Sequence, residues 1–202
     1  MADMLTTTVS VLALGISGLT AWLTLFRRGT IKMSQPTTIF FGWDGQRQDT
    51  FDRAAKVFLR TLLFSTSKKG RIVESMHLML SRDGRKQNFA IWVYGDEKLV
   101  RGSGLFVGET GVAANHHFLL PHDTGTYRFS KGLYGVELYA HLLGEKGQQL
   151  LFKEVLEVTE EFAFDLRDPT NGLYFDWMPD TSRYVPHLHR RNISPPSVRF
   201  DP

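Results

Sequence analysis

Seven histidines are the side chains of this 202-residue chain best suited to hold a metal or move a proton near neutral pH. His116 and His117 are adjacent, so on a strand they point to opposite faces, and either meets His122 only across a turn at Pro121. His187 and His189 are two apart and share a face if their proline-rich surroundings are extended. The reading for both groups is imidazoles without a metal; a metal site on His116, His117 or His122, in an enzyme or an enzyme subunit, is the rival reading. Gly102-Ser103-Gly104 lacks the first glycine and the following helix of a nucleophile elbow and reads as a bend. With Gly108 it also lacks the spacing of a dinucleotide loop. Glu160 with Glu161, and Asp44 with Asp49 and Asp52, have no EF-hand spacing and read as solvated loop charge. There is no cysteine, which excludes thiolate nucleophiles, thiolate metal ligands and disulfides. The expectation is a protein with no cofactor, no metal and no catalytic site.

Elements that would position any site follow from the apolar pattern, which has period two from Thr37 to about Val158. In Tyr134 to Leu143, Val136, Leu138, Ala140 and Leu142 alternate with Glu137, Tyr139 and His141, so one face is core and the other wet. Leu150 to Val158 repeats this with Leu150, Phe152, Leu156 and Val158 inward, and pairs antiparallel with the first strand across the loop Gly144 to Gly147. Ile72 to Leu80 and Asn88 to Tyr94 form a second hairpin around Arg82-Asp83-Gly84-Arg85, where Asp-Gly supplies the positive φ of a tight turn. Further strands are expected at Thr38 to Phe41, Val57 to Phe64, Leu105 to Val107 and His116 to Leu120. Many short antiparallel strands with no helical pattern between them predict an all-β, two-sheet sandwich over residues 37–160 and exclude a parallel α/β fold. The run Phe129-Ser-Lys-Gly-Leu-Tyr-Gly-Val-Glu-Leu-Tyr-Ala resembles the penultimate strand of immunoglobulin-like and fibronectin-III-like domains. That resemblance implies an immunoglobulin-like sandwich in which Tyr134 bonds back across the corner, without the cysteine and tryptophan core of antibody domains.

Ahead of the sandwich, residues 4–26 (MLTTTVSVLALGISGLTAWLTLF) carry no charge and span a hydrocarbon core of about 30 Å as a helix. The threonines and serines of this run can bond back to helix carbonyls, and Trp22 suits the interface. No basic segment precedes the run and no small-x-small cleavage site follows, so it reads as a transmembrane helix rather than a cleaved signal. Arg27, Arg28 and Lys32 follow it, which by the positive-inside rule places the main domain in the cytoplasm and makes these three the candidate lipid contacts. Ala13, Ser17 and Ala21 recur every four residues and form a candidate self-association stripe for a homo-oligomer. Residues 27–36 read as a juxtamembrane linker.

A net charge of +3 with both signs interspersed excludes a nucleic-acid binder built on a basic field. Lys68-Lys69-Gly70-Arg71 and Arg82, Arg85 and Lys86 lie at opposite ends of one strand and read as solvated hairpin tips, with one of the two ends lying against anionic headgroups as the rival reading. Residues 161–202 hold six of the eight prolines and the aromatics Tyr174, Phe175, Trp177 and Tyr184, and read as a tail beyond the sandwich, disordered from about Arg190. Either the tail covers Trp92 and Tyr94, expected to face outward, or it docks a partner; all six aromatics are candidate partner-binding residues. The function expected is a membrane-anchored, single-pass scaffold or adaptor that binds the bilayer and a protein partner. The alternatives are an exported envelope domain that binds glycan or another ligand, and a subunit of a membrane-associated enzyme complex.

Overall fold

The computed structural model describes residues 2–26, 28–44, 54–96, 98–121 and 127–190. The uncharged run forms one helix, α1 (Ala2–Leu25), long and apolar enough to cross a membrane, with residues 3–24 exposed along its length. The Thr7, Thr8 and Thr20 hydroxyls each donate to the carbonyl four residues back at 2.8 Å, and Thr24 bonds Thr20 in the same way. Hydroxyls satisfied along their own helix cost little in an apolar setting.

The strands that follow are β1 (Ile31–Met33), β2 (Thr38–Trp43), β3 (Ala55–Ser65), β4 (Arg71–Arg82), β5 (Arg85–Phe89), β6 (Ile91–Tyr94) and β7 (Val100–Arg101). Then come β8 (Leu105–Val107), β9 (Val112–Leu119), β10 (Gly132–Leu142), β11 (Gln148–Val158), the short helix α2 (Glu160–Asp165), β12 (Asn171–Met178) and β13 (Arg183–Arg190). They form two antiparallel sheets. The larger runs β13-β12-β2-β3-β9-β6-β7, with β1 also on β3, and the smaller runs β11-β10-β4-β5, with β8 also on β4. The inward residues of both sheets make one core, in which Phe41 packs on Phe129, Tyr134 and Phe175 at ring separations of 5.3, 5.5 and 5.1 Å.

The alternation in β10 does what its residues require: Val136, Leu138, Ala140 and Leu142 are all fully buried. The β4–β5 turn has Asp83 at φ 50° and Gly84 at φ 75°, the left-handed pair that a two-residue hairpin needs. Tyr134 is fully buried; its hydroxyl donates to the Ser130 carbonyl at 2.8 Å and accepts the Ser130 N–H at 2.9 Å.

Four sequence expectations need correction. The strand expected over Asn88 to Tyr94 breaks at Ala90: Phe89 and Trp92 are both buried but three residues apart, so the alternation slips and the chain crosses from the smaller sheet to the larger. In β11 the register shifts opposite Leu138 and Tyr139, which pair with Phe152 and Leu150; Leu151 is the extra residue and packs on the core, while Leu150 is exposed. Residues 27–36 are not a free linker, because β1 pairs with the end of β3 and Ile31 is fully buried. Residues 161–190 are not a tail outside the fold, because β12 joins the free edge of β2 and carries β13 with it, while the disorder expected beyond Arg190 falls outside the described residues. Pro186 is accommodated because β13 is the edge strand, whose outer N–H positions need no partner.

Candidate interaction groove

The histidines separate as adjacent strand residues must. His116 is fully buried on the inner face of β9, where the Trp92 indole Nε1 donates to its Nδ1 at 3.1 Å. Indole nitrogen only donates, so Nδ1 carries the lone pair and the neutral ring bears its proton on Nε2, which is buried without a partner. Burial pushes His116 down to about 4, the neighbouring His117 adds to this, and Asp96 opposes it. His117 lies on the outer face against Phe58, at a ring separation of 5.1 Å, and is also held at about 4, by burial and then by Lys56. His187 and His189 flank Tyr174 on that outer face, at ring separations of 5.4 and 5.7 Å, and His187 Nδ1 lies 3.3 Å from Asp176. Among the described residues no three His, Asp or Glu side chains are grouped as a metal requires. His122, Asp49 and Asp52 lie outside the described residues.

The six candidate aromatics do not form one surface. Trp92 is only 3% exposed, and Tyr94 stacks on it at 5.1 Å with its ring packed on the core, so neither is the outward patch expected of them. Gly102 explains how the indole fits: a Cβ there would stand 2.0 Å from Trp92 Cε3, so only a glycine lets this backbone lie on the ring. Tyr174 is turned outward, where it meets Phe40 at 4.8 Å. Phe175, Trp177 and Tyr184 are turned inward on β12 and β13, and these three come together.

Alternation puts Phe175 in the core and Trp177 two residues on, toward the turn of the hairpin, where the smaller sheet no longer covers it. Tyr184 stands opposite Trp177 in the register, with ring centroids 5.1 Å apart. It is fixed at its far end, donating from its hydroxyl to the Pro36 carbonyl at 2.8 Å and accepting from Gln35 at 3.2 Å. Burial raises the Tyr184 phenol above its ordinary range, so it stays a neutral donor.

Facing this aromatic wall is β11, which pairs with β10 on one side and, among the described residues, has no strand on the other. Between them lies a groove of about 310 Å³, with Phe175, Trp177, Tyr184 and Pro186 on one wall and Glu154 to Glu157 on the other. The Val155 N–H points into the open edge and is taken by the carboxylate of its own neighbour, Glu154, at 3.1 Å. By the two-residue alternation of an antiparallel ladder, Lys153 and Glu157 present their backbone groups on the same side. Among the described residues no cation pairs with Glu154 or Glu157. The β13 edge carries Pro186 in its middle, which blocks strand addition there, whereas β11 has no proline along its eleven residues. Sequence reasoning named the aromatic wall but missed β11, because a free edge is a property of the sheet order and has no residue signature.

Of the remaining candidates, Ala13, Ser17 and Ala21 lie along α1 and are exposed, as are Arg28 and Lys32 at the start of the domain; Arg27 lies outside the described residues. No family of known proteins, no curated protein and no solved structure matches this chain.

Proposed function

We propose that this protein is a membrane-anchored interaction module: α1 spans the bilayer, and an immunoglobulin-like sandwich on the cytoplasmic side takes an extended segment of a protein partner along β11. The observation that carries the reading is the groove, where among the described residues an unpaired strand edge, an aromatic wall and the carboxylates of Glu154 and Glu157, neither of them ion-paired although Arg183 lines the same space, face one another. An added strand would satisfy the outward backbone groups of Val155 and its alternates, set its apolar side chains against Trp177 and Tyr184, and bring a lysine or arginine to Glu154 and Glu157. The immunoglobulin-like assignment is supported by the strand order, in which β2-β3-β9-β6 faces β11-β10-β4-β5 as sheet ABED faces GFC in that fold. Tyr134 at the head of β10 supports it too, since it bonds to backbone four residues upstream as a corner tyrosine does. Self-association through Ala13, Ser17 and Ala21 belongs to the same proposal as the means of bringing two grooves together.

The test is a photocrosslinking amino acid at Trp177 in the full chain in its native membrane, with a second placed at Arg85 as a control on the opposite edge. A discrete protein adduct from position 177 is expected, absent from position 85. Val155→Pro removes one outward N–H without touching the β10 ladder, so the adduct should fall about tenfold or more. An adduct that is equal at both positions, or unchanged by Val155→Pro, overturns strand addition; no adduct at 177 overturns the module.

A further inference from the structure

The end of the sandwich nearest α1 is fixed by short connections. From Phe26 to Thr30 the chain spans at most about 14 Å, and Thr30 is already tied to the β3–β4 turn. Its N–H donates to Thr66 Oγ1 at 2.9 Å, and its carbonyl accepts the Thr66 N–H at 2.9 Å. Gly29 lies so close to Ser67 that a Cβ would stand 2.4 Å from the serine Cβ, and Arg71 Nη1 donates to the Gly29 carbonyl at 2.9 Å. The next two residues of the turn are Lys68 and Lys69, both exposed. If α1 crosses a bilayer, these lysines stand at its headgroups.

Two large apolar side chains are exposed at the same end. Phe106 is 59% exposed and pairs with Ile72 across β8 and β4; Leu143 is 54% exposed and its N–H donates to the Ile72 carbonyl at 2.9 Å. Lys146 follows in the same β10–β11 loop and is exposed. Among the described residues Lys68, Lys69 and Lys146 have no ion-pair partner, whereas Glu145 is taken up by Arg71 at 2.7 Å. Exposed apolar residues set among unpaired cations suit a surface where hydrocarbon begins and phosphate charge is dense, whereas bulk water hydrates the lysines and leaves the apolar side chains unburied.

We propose that this end of the sandwich is a second membrane contact, in which Phe106 and Leu143 enter the interface of an anionic leaflet and Lys68, Lys69 and Lys146 bind its headgroups. The proposal rests on the reading of α1 as a membrane span and adds the orientation of the domain. It chooses between the two basic ends of β4: the Arg82, Arg85 and Lys86 end stands about 35 Å from the bilayer. Docking at two places holds β4 and β11 steeply to the membrane and turns the groove at Glu154 to Glu157 away from it.

The chain has no cysteine of its own, so single cysteines can carry an environment-sensitive fluorophore without background. Phe106→Cys, Leu143→Cys, Arg85→Cys and Leu14→Cys are made in the full chain and reconstituted in vesicles of phosphatidylcholine, alone or mixed with phosphatidylserine, carrying spin-labelled lipid as quencher. Leu143→Cys leaves untouched the contact of Phe106 with Gly70, so a folding defect at one site does not decide the result. In phosphatidylserine vesicles the labels at 106 and 143 should shift to the blue and be quenched, and that at 85 should not. The docked-to-free ratio should fall about fivefold for each of Lys68→Gln and Lys69→Gln. Labels at 106 and 143 as wet as the one at 85, with the one at 14 quenched, overturn the contact and leave the anchor standing. An unquenched label at 14 removes the anchor and the contact together, and burial indifferent to phosphatidylserine overturns the assignment to anionic lipid.

Discussion

His116 shows how one buried ring ties the edge of the core to pH. Its Nδ1 must keep a lone pair for the Trp92 N–H, and its Nε2 has no acceptor, so a second proton would break one bond and leave a charge unpaired. Unfolded, His116 and His117 titrate near 6.5; folded, both are held at about 4. Below 6.5 the unfolded chain takes up protons that the folded one refuses, so stability falls as pH drops from about 6.5 toward 4 and levels off beneath that. Burial of His77 acts in the same direction. Glu137, held below its usual range by hydrogen bonds from Lys153 and Tyr139, adds a loss only at more acidic pH. By pH 5 the His116 contribution is about 2 kcal/mol. Urea unfolding of the full chain in detergent, followed by tryptophan fluorescence, should therefore show a midpoint that is flat from pH 8 to about 7 and falls by pH 5. His116→Gln, whose carbonyl can still accept the Trp92 N–H, should lose that share of the slope; an unchanged slope would assign it elsewhere.

The β12–β13 hairpin makes the corresponding case for elements, because a segment rich in proline and aromatics read as a tail proves to complete a sheet. Phe175 is 1% exposed and packs edge-on against Phe41, so Phe175→Ala should cost about 3–5 kcal/mol. Tyr174→Ala, on the outer face of the same strand, should cost clearly less, and equal costs by urea unfolding would mean the hairpin is peripheral. The sequence made strands legible wherever both faces of the pattern were local: β10 alternates cleanly along its length, β4 does so from Met76 to Leu80 and β11 beyond its bulge, and Asp83-Gly84 announces its turn. It could not show where a strand changes sheets, since Phe89-Ala90-Ile91-Trp92 reads as one apolar run until it is known which sheet covers each ring. Nor could it show that Trp177 and Tyr184 face β11, which is set by β12 adding to β2 far upstream in the chain. The hairpin hid behind Pro179 and Pro186, residues that argue against a central strand and are harmless in a turn or at an edge.

For the whole molecule, on the proposal that α1 spans a bilayer, the decisive quantity is the direction in which it crosses. Arg28 and Lys32 lie within a few residues of its C-terminal end, Lys68, Lys69 and Arg71 are folded back against the same junction, and Asp3 stands at the other end. Folding thus concentrates on one side of the helix more positive charge than the linear sequence places there, and cations within roughly 15–20 residues of a span bias it toward the cytoplasm. The lysines of the β3–β4 turn are too distant in sequence to act during insertion, but in the proposed docking they would face the leaflet in which anionic lipid is abundant, so the two effects would agree. A reporter active only in the cytoplasm, fused after Pro202, should be active, and its exported counterpart silent, with the protein resisting extraction at alkaline pH. Replacing Arg28 and Lys32 by glutamine while moving two lysines next to Asp3 should weaken or invert this preference. An exported reporter in the unaltered chain would place Phe106 and Lys68 against the opposite leaflet and the groove outside the cell membrane, and the partner to seek would then be an extracytoplasmic one.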